Sequence, residues 1–217
     1  MVEARQELDA HAPAQLHVLL VLDESASMEP YARRTVDAVR AYLSSVHDTA
    51  GRVTYTLTLF SDAIRQGPVM QSLAHVHDAL DAYRPSGRTA LYDAIGTTLD
   101  EFEEHAHARQ VTAHDRMLCV IMTDGGENSS RRYSGRKVAA MIGARTRANR
   151  WTFVFLSAAA DFAETAARLK IPECNAAHFS TDAVEAAVRR LSERTAAFVH
   201  SGMSSHGFFL PGPDLGG

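Results

Sequence analysis

The chain has 217 residues, a formal net charge of −4 and 46% apolar residues. That length holds one α/β domain with a sizeable core, and that apolar share excludes a disordered chain. The negative balance, with arginines scattered along the chain, argues against a surface that grips nucleic acid by neutralising phosphates.

Residues 1–15 are polar, contain Pro13, and read as a flexible N-terminal arm without a signal-peptide segment. The run Leu16-His17-Val18-Leu19-Leu20-Val21-Leu22 reads as a buried strand, being short, apolar and closed by a polar turn. Residues 29–47 follow with Val36, Val39, Leu43 and Val46 on one helical face, and residues 53–60 form a second strand. Residues 64–70 come too soon for a crossover helix, so they are expected to turn back as an antiparallel edge strand, where Pro68 is tolerated. A short helix over 75–82 leads into the loop Pro85-Ser86-Gly87, and the next helix puts Leu91, Ile95, Leu99 and Phe102 on one side. Strands over 116–123 and 151–156 alternate with helices over 137–149 and 161–170, the latter stopping before Pro172. His178-Phe179 marks a short last strand. Residues 182–200 form the final helix, with Asp182 as N-cap and a stripe of Val184, Val188, Leu191, Thr195 and Phe198. The Gly-, Ser- and Pro-rich residues 201–217 read as a flexible tail.

This alternation is the pattern of a mostly parallel sheet covered by helices. The two cysteines, Cys119 in an apolar run and Cys174 near a loop, have no C-x-x-C spacing, so neither a zinc site nor a redox motif is expected. No stretch is long enough to span a bilayer, and the absence of a disulfide framework and an export signal implies a cytoplasmic protein.

The polar turn after the first strand carries Asp23, Ser25 and Ser27 at alternate positions. One carboxylate and two hydroxyls in one loop suit a hard divalent cation such as Mg²⁺ or Mn²⁺, not zinc or copper. Two further pieces follow: Ser86-Gly87-Arg88-Thr89-Ala90-Leu91-Tyr92-Asp93-Ala94-Ile95 and Met122-Thr123-Asp124-Gly125-Gly126-Glu127-Asn128. The histidine pairs His75/His77 and His105/His107 stand two apart on helices, about 200° around the axis, and cannot share a metal. No Ser-His-Asp arrangement, G-x-S-x-G or glycine-rich phosphate loop is present.

Together the three pieces resemble the metal-ion-dependent adhesion site of von Willebrand factor type A domains, and the likeness extends over residues 16–200. The resemblance implies a doubly wound α/β fold, a six-stranded sheet of order 3-2-1-4-5-6 with one antiparallel edge strand. It further implies Mg²⁺ or Mn²⁺ held by Asp23, Ser25, Ser27, Thr89 and Asp124, with Ser25 and Ser27 coordinating directly. In such a site a partner protein's Asp or Glu fills the open coordination position. The function implied is a non-enzymatic, metal-dependent protein-binding module of the standalone bacterial or phage type. Members of that group are often encoded beside AAA+ ATPases, kinases or phosphatases, which become candidate partners. The alternatives are a Mg²⁺-dependent phosphoryl-transfer enzyme, weakened by Ser25 where haloacid-dehalogenase-type enzymes need a second Asp, and a structural or assembly component. Two departures from the pattern stand out: Ala26 replaces the usual Gly, and Arg88 precedes the threonine, where it either favours an acidic ligand or forms a surface salt bridge. Glu24, Glu29, Glu127 and Asn128 are expected near the rim.

Overall fold

The computed structural model describes residues 15–180, 183–201 and 207–209. Its strands are β1 (Leu16–Asp23), β2 (Val53–Phe60), β3 (Ile64–Gln66), β4 (Arg116–Thr123), β5 (Trp151–Ser157) and β6 (Ala176–His178). They form one six-stranded sheet in the order β3-β2-β1-β4-β5-β6, parallel except for β3, which pairs antiparallel with β2. The helices are α1 (Ala32–Ala50), α2 (Leu73–Leu80), α3 (Leu91–Ala108), α4 (Gly135–Arg147), α5 (Phe162–Arg168) and α6 (Val184–Ser201).

Central strands of a parallel sheet are covered on both faces, and all eight residues of β1 are buried. Their side chains alternate between two cores. Leu16, Val18, Leu20 and Leu22 pack with Val39, Leu43 and Val46 of α1 and Val184, Val188 and Leu191 of α6. Leu19 and Val21 face the other way, against Leu91, Ile95, Leu99 and Phe102 of α3 and Val138 and Ile142 of α4.

The first helix starts later than its apolar spacing predicts. Residues 26–31 form a 3-10 turn containing Pro30, and regular α-helix begins at Ala32. The ring has no N–H to give, so it suits the turn rather than a helix interior. The helix stops at Gly51, whose φ of +68° favours glycine. The edge strand is also shorter than expected. Beyond Gln66, Gly67 and Pro68 interrupt it, with a single bridge from Tyr55 to Gln71 further on. The proposed N-cap Asp182 lies outside the described residues.

Most of the two expected terminal segments lies outside the described residues as well. Three residues of the expected flexible tail do not behave as such. Phe208 and Phe209 are buried against the α6 side of the sheet, and the Asn175 side chain accepts the N–H groups of Gly207 (3.1 Å) and Phe208 (2.9 Å). Two aromatic rings within a polar stretch are the signal for that docking, because they remove large apolar area from water. Among the described residues no helix is long and apolar enough to cross a membrane.

Candidate metal centre

The sheet's winding reverses between β1 and β4, which pair in parallel with Leu22 opposite Met122. That register brings Asp23 and Thr123 to the same level at the strand ends, with Asp124 one residue beyond. Loops at the carboxyl ends of strands around such a switch point form the crevice where α/β sheets bind ligands.

Asp23 is fully buried. Its Oδ1 accepts the backbone N–H of Ser25 at 2.7 Å, and its Oδ2 accepts a short hydrogen bond from Thr123 Oγ1. Ser25 Oγ lies 3.1 Å from Ser27 Oγ, and Ser27 Oγ donates to Asp124 Oδ1 at 2.8 Å. Asp23, Ser25, Ser27 and Asp124 are thereby joined in one chain of hydrogen bonds, through the Ser25 backbone N–H and then from hydroxyl to hydroxyl to carboxylate. Thr89, just before α3, is tied to the loop that follows Asp124. Its backbone N–H donates to Asn128 Oδ1 at 3.0 Å, and its carbonyl accepts from Asn128 N at 3.0 Å. These bonds hold the loop against the β4 loop, so that Thr89 Oγ1 lies 3.7 Å from where a Cβ on Gly125 would stand.

The electrostatics follow from burial. Desolvation pushes the Asp23 carboxyl up to about 6, against the Thr123 and Ser25 bonds that favour its charged form. Burial also raises Asp124 above the ordinary carboxylate range. Two carboxyls held this way, beside three hydroxyls, form an all-oxygen donor set whose charge a hard cation would stabilise. This donor set fits Mg²⁺ or Mn²⁺. Among the described residues no group of three or more His, Cys, Asp or Glu forms an alternative centre.

The surrounding polar residues are placed differently from the expected rim. Glu24 is buried and forms an ion pair with Arg65 of β3, its Oε1 accepting Arg65 Nε at 2.5 Å. Its backbone carbonyl takes the N–H of Ser86 at 2.7 Å. Glu127 turns inward: it accepts from Ser129 N and Ser130 N and from Tyr92 N in the first turn of α3. There its negative charge complements the helix dipole. Arg88 is exposed and donates to the Asn128 carbonyl across the loops. Ala26 keeps a negative φ, so the missing glycine costs no backbone strain. Gly87, by contrast, has φ +73°, and a Cβ there would stand 2.2 Å from Asp62 Oδ1. It is required for the turn whose carbonyl accepts Ala26 N.

Sequence reasoning missed two residues that organise this end of the sheet. Thr123 orients Asp23, and its signal was a polar residue closing an apolar strand directly before Asp124. Asp93, in the first turn of α3, accepts the backbone N–H groups of Arg131, Arg132 and Tyr133 at 2.8–2.9 Å. No periodicity marks that role.

No family model matches the sequence. No curated protein matches it either. Solved structures do. Proximal thread matrix protein 1 from the mussel byssus, with a zinc-occupied MIDAS motif, matches at TM-score 0.60 and 16% identity, over 85% of this chain and 46% of that one. The manganese-loaded TRAP protein of Plasmodium vivax matches at TM-score 0.56 and 16% identity, over 79% and 71%. The vWF domain of the pilus tip protein Mfa5 from Porphyromonas gingivalis matches at TM-score 0.62 and 8% identity, over 87% and 97%. The chain spans about half the length of the mussel proteins it matches. At these identities the likeness is one of fold: this chain has the architecture of von Willebrand factor type A domains.

Proposed function

We propose that this chain is a non-enzymatic protein-binding module whose Asp23, Ser25, Ser27, Thr89 and Asp124 hold Mg²⁺ or Mn²⁺ for capture of a partner's Asp or Glu. The observation that carries this reading is the hydrogen-bond chain from buried Asp23 through Ser25 and Ser27 to Asp124, at the end of the sheet where α/β folds bind ligands. When bound, the cation supplies positive charge and an open position for a carboxylate. Ser25 and Ser27 present their hydroxyls to it. Thr89 closes the third side. Asp23 and Asp124 orient the hydroxyls and balance charge. A zinc-occupied motif in the mussel protein and manganese in the Plasmodium protein support a divalent ion at such a site, and they make zinc a competitor despite the all-oxygen donors.

Burial argues against the phosphoryl-transfer alternative. Asp23 has no exposed surface, and both its oxygens already accept hydrogen bonds, so it is badly placed to attack a phosphorus atom. A role in the cytoplasm and a partner encoded nearby, such as an AAA+ ATPase, kinase or phosphatase, remain part of the proposal.

Thermal melts with MnCl₂ and MgCl₂ test the metal assignment. A ligand at about a hundredfold excess over Kd stabilises the native state by about 2.7 kcal/mol. That gain should appear in the wild type and vanish in Asp23→Asn. Equal stabilisation of both proteins would remove Asp23 from the site. Affinity capture from the source cells, with Mg²⁺ or with EDTA, then tests recognition. Partners should be lost in EDTA and in Thr89→Ala, and partners retained in both would mean a different binding surface.

A further inference from the structure

We propose that a cationic shoulder beside the metal loops, made of Arg88, Arg131, Arg132, Arg136 and Lys137, selects an acidic protein segment: one carboxylate for the metal and further Asp or Glu next to it. The inference rests on the metal-dependent reading above and adds the partner's chemistry. Residues 131–137, Arg-Arg-Tyr-Ser-Gly-Arg-Lys, hold four cations and no acid, in a chain whose net charge is −4. All four of these side chains are exposed, and so is Arg88.

The fold fastens this run beside the metal residues. Asp93, in the first turn of α3, accepts the backbone N–H groups of Arg131, Arg132 and Tyr133. Glu127 ties the same loop to α3 by accepting Tyr92 N at 3.0 Å and Ser130 N at 2.7 Å. Arg88, next to Thr89, donates across to the Asn128 carbonyl. The shoulder's backbone is therefore set before a partner arrives, which lowers the ordering cost of binding.

The fold makes little use of these charges. Among the described residues no ion pair joins any of the five to a carboxylate. Lys137 Nζ lies 4.1 Å from the centre of the Tyr133 ring and the Arg132 guanidinium 5.5 Å, contacts that leave N–H donors for a carboxylate. Arg136 and Lys137 stand in the first turn of α4, where the helix dipole disfavours cations and no acid accompanies them. The acids bonded to this region are Asp93, Asp100, which accepts Tyr133 Oη, and Glu127. Five cations against three carboxylates leave the shoulder net positive.

The charge is also one-sided. β2 and β4 flank β1 on opposite sides, and exposed Asp62 follows β2, against Gly87. A partner's additional acids are drawn to the β4 side and repelled from the β2 side. The shoulder is short and the chain around it net negative, which suits an acidic protein segment. A nucleic acid needs a longer track of neutralised phosphates.

Fluorescence anisotropy of the full chain with two labelled peptides tests the shoulder. One carries a single Asp among Gly and Ser, and the other is the same peptide with three Glu added. In Mn²⁺ the acidic peptide should bind about tenfold tighter, as two or three exposed charge pairs supply, and high salt should shrink that advantage. The double variants Arg131→Gln with Arg132→Gln, and Arg136→Gln with Lys137→Gln, should each cut the advantage several-fold and leave the Kd of the single-Asp peptide unchanged. Gln keeps the backbone N–H groups that Asp93 holds, so both variants should fold. Equal affinity for the two peptides, no binding of the acidic one, or an advantage untouched by both variants would overturn the shoulder, even with metal-dependent binding intact. Acidic-peptide binding lost in the variants but unchanged in EDTA would keep the shoulder and overturn the metal reading. An oligonucleotide of equal charge that binds as tightly would overturn the assignment to a protein segment.

Discussion

Two buried carboxylates at the same end of the sheet, Asp93 and Asp23, are held in opposite ways. Asp93 accepts three backbone N–H groups from consecutive residues 131–133, and its own N–H donates to Ser130 Oγ. Asp23 accepts one N–H and one hydroxyl, and burial pushes its carboxyl up to about 6. The first is a clasp: it pins the loop between β4 and α4 to the start of α3, and its charge is met by protein alone. The second is charge that the protein only partly meets. That shortfall is what the cation of the proposed metal site would meet. Burial of an acid therefore says little by itself; the donors around it separate structure from function.

The largest effect that tests this contrast is on stability. Asp93→Ala strips partners from three N–H groups, and should cost roughly 3 kcal/mol, or about 6–12 °C in Tm for a chain of this length. Asp23→Ala, measured beside it in EDTA, should cost clearly less, because it also removes a buried charge. Denaturant melts compare them, and a larger loss in Asp23→Ala would break the distinction. An intermediate effect is expected for Thr123→Val, which keeps volume but removes the hydroxyl that favours ionised Asp23. It should cost about 1 kcal/mol and also weaken the Mn²⁺-dependent gain in Tm. A stability loss with metal affinity unchanged would mean that Thr123 serves the fold alone.

The smallest effect is a pH dependence at the other end of the sheet. Burial lowers the His17 pKa below its usual value, outweighing the attraction of Asp115. The folded state therefore favours neutral imidazole, and the unfolded state takes up the proton first. His17 contributes stability that is present above its ordinary pKa of about 6.5 and is lost as pH falls below it. Asp23, raised instead, has the opposite slope between about 4 and 6, but equally in wild type and in His17→Gln. The stability difference between those two proteins should therefore shrink as pH falls from 7.5 to 5. A difference that does not change with pH would show that His17 is charged in the fold.

The fold was legible because burial leaves a periodic trace. Both-face burial turned β1, β4 and β5 into unbroken apolar runs, and one-face burial gave α1 and α6 their stripes. Boundaries slipped where local chemistry competes with period, as at Pro30, which belongs to a 3-10 turn, and at Gly67-Pro68, which cuts β3 short. At the candidate site the residue types were legible, because Asp23, Ser25, Ser27, Thr89 and Asp124 fall in loops at strand ends or helix starts. The direction of the flanking acids was not. Glu24 and Glu127 looked like rim residues, yet one is buried against Arg65 and the other caps α3. Their roles depend on backbone N–H groups and a guanidinium from remote segments, and such pairings leave no spacing to read. The packing of Phe208 and Phe209 was missed for the same reason: their holder, Asn175, stands 32 residues from Gly207 in the chain.

The two outermost strands are each three residues long, Ile64–Gln66 on one side and Ala176–His178 on the other, against eight in β1. A visiting chain that tried to extend the sheet sideways would find a ladder of only two or three rungs. Long, flat borders invite such annealing, and brevity is one of the ways proteins discourage it. The consequence is directional: the flanks offer little bare backbone for a visiting chain to anneal to, so the partner capture proposed above is left to the ends of the strands, where side chains can choose the visitor.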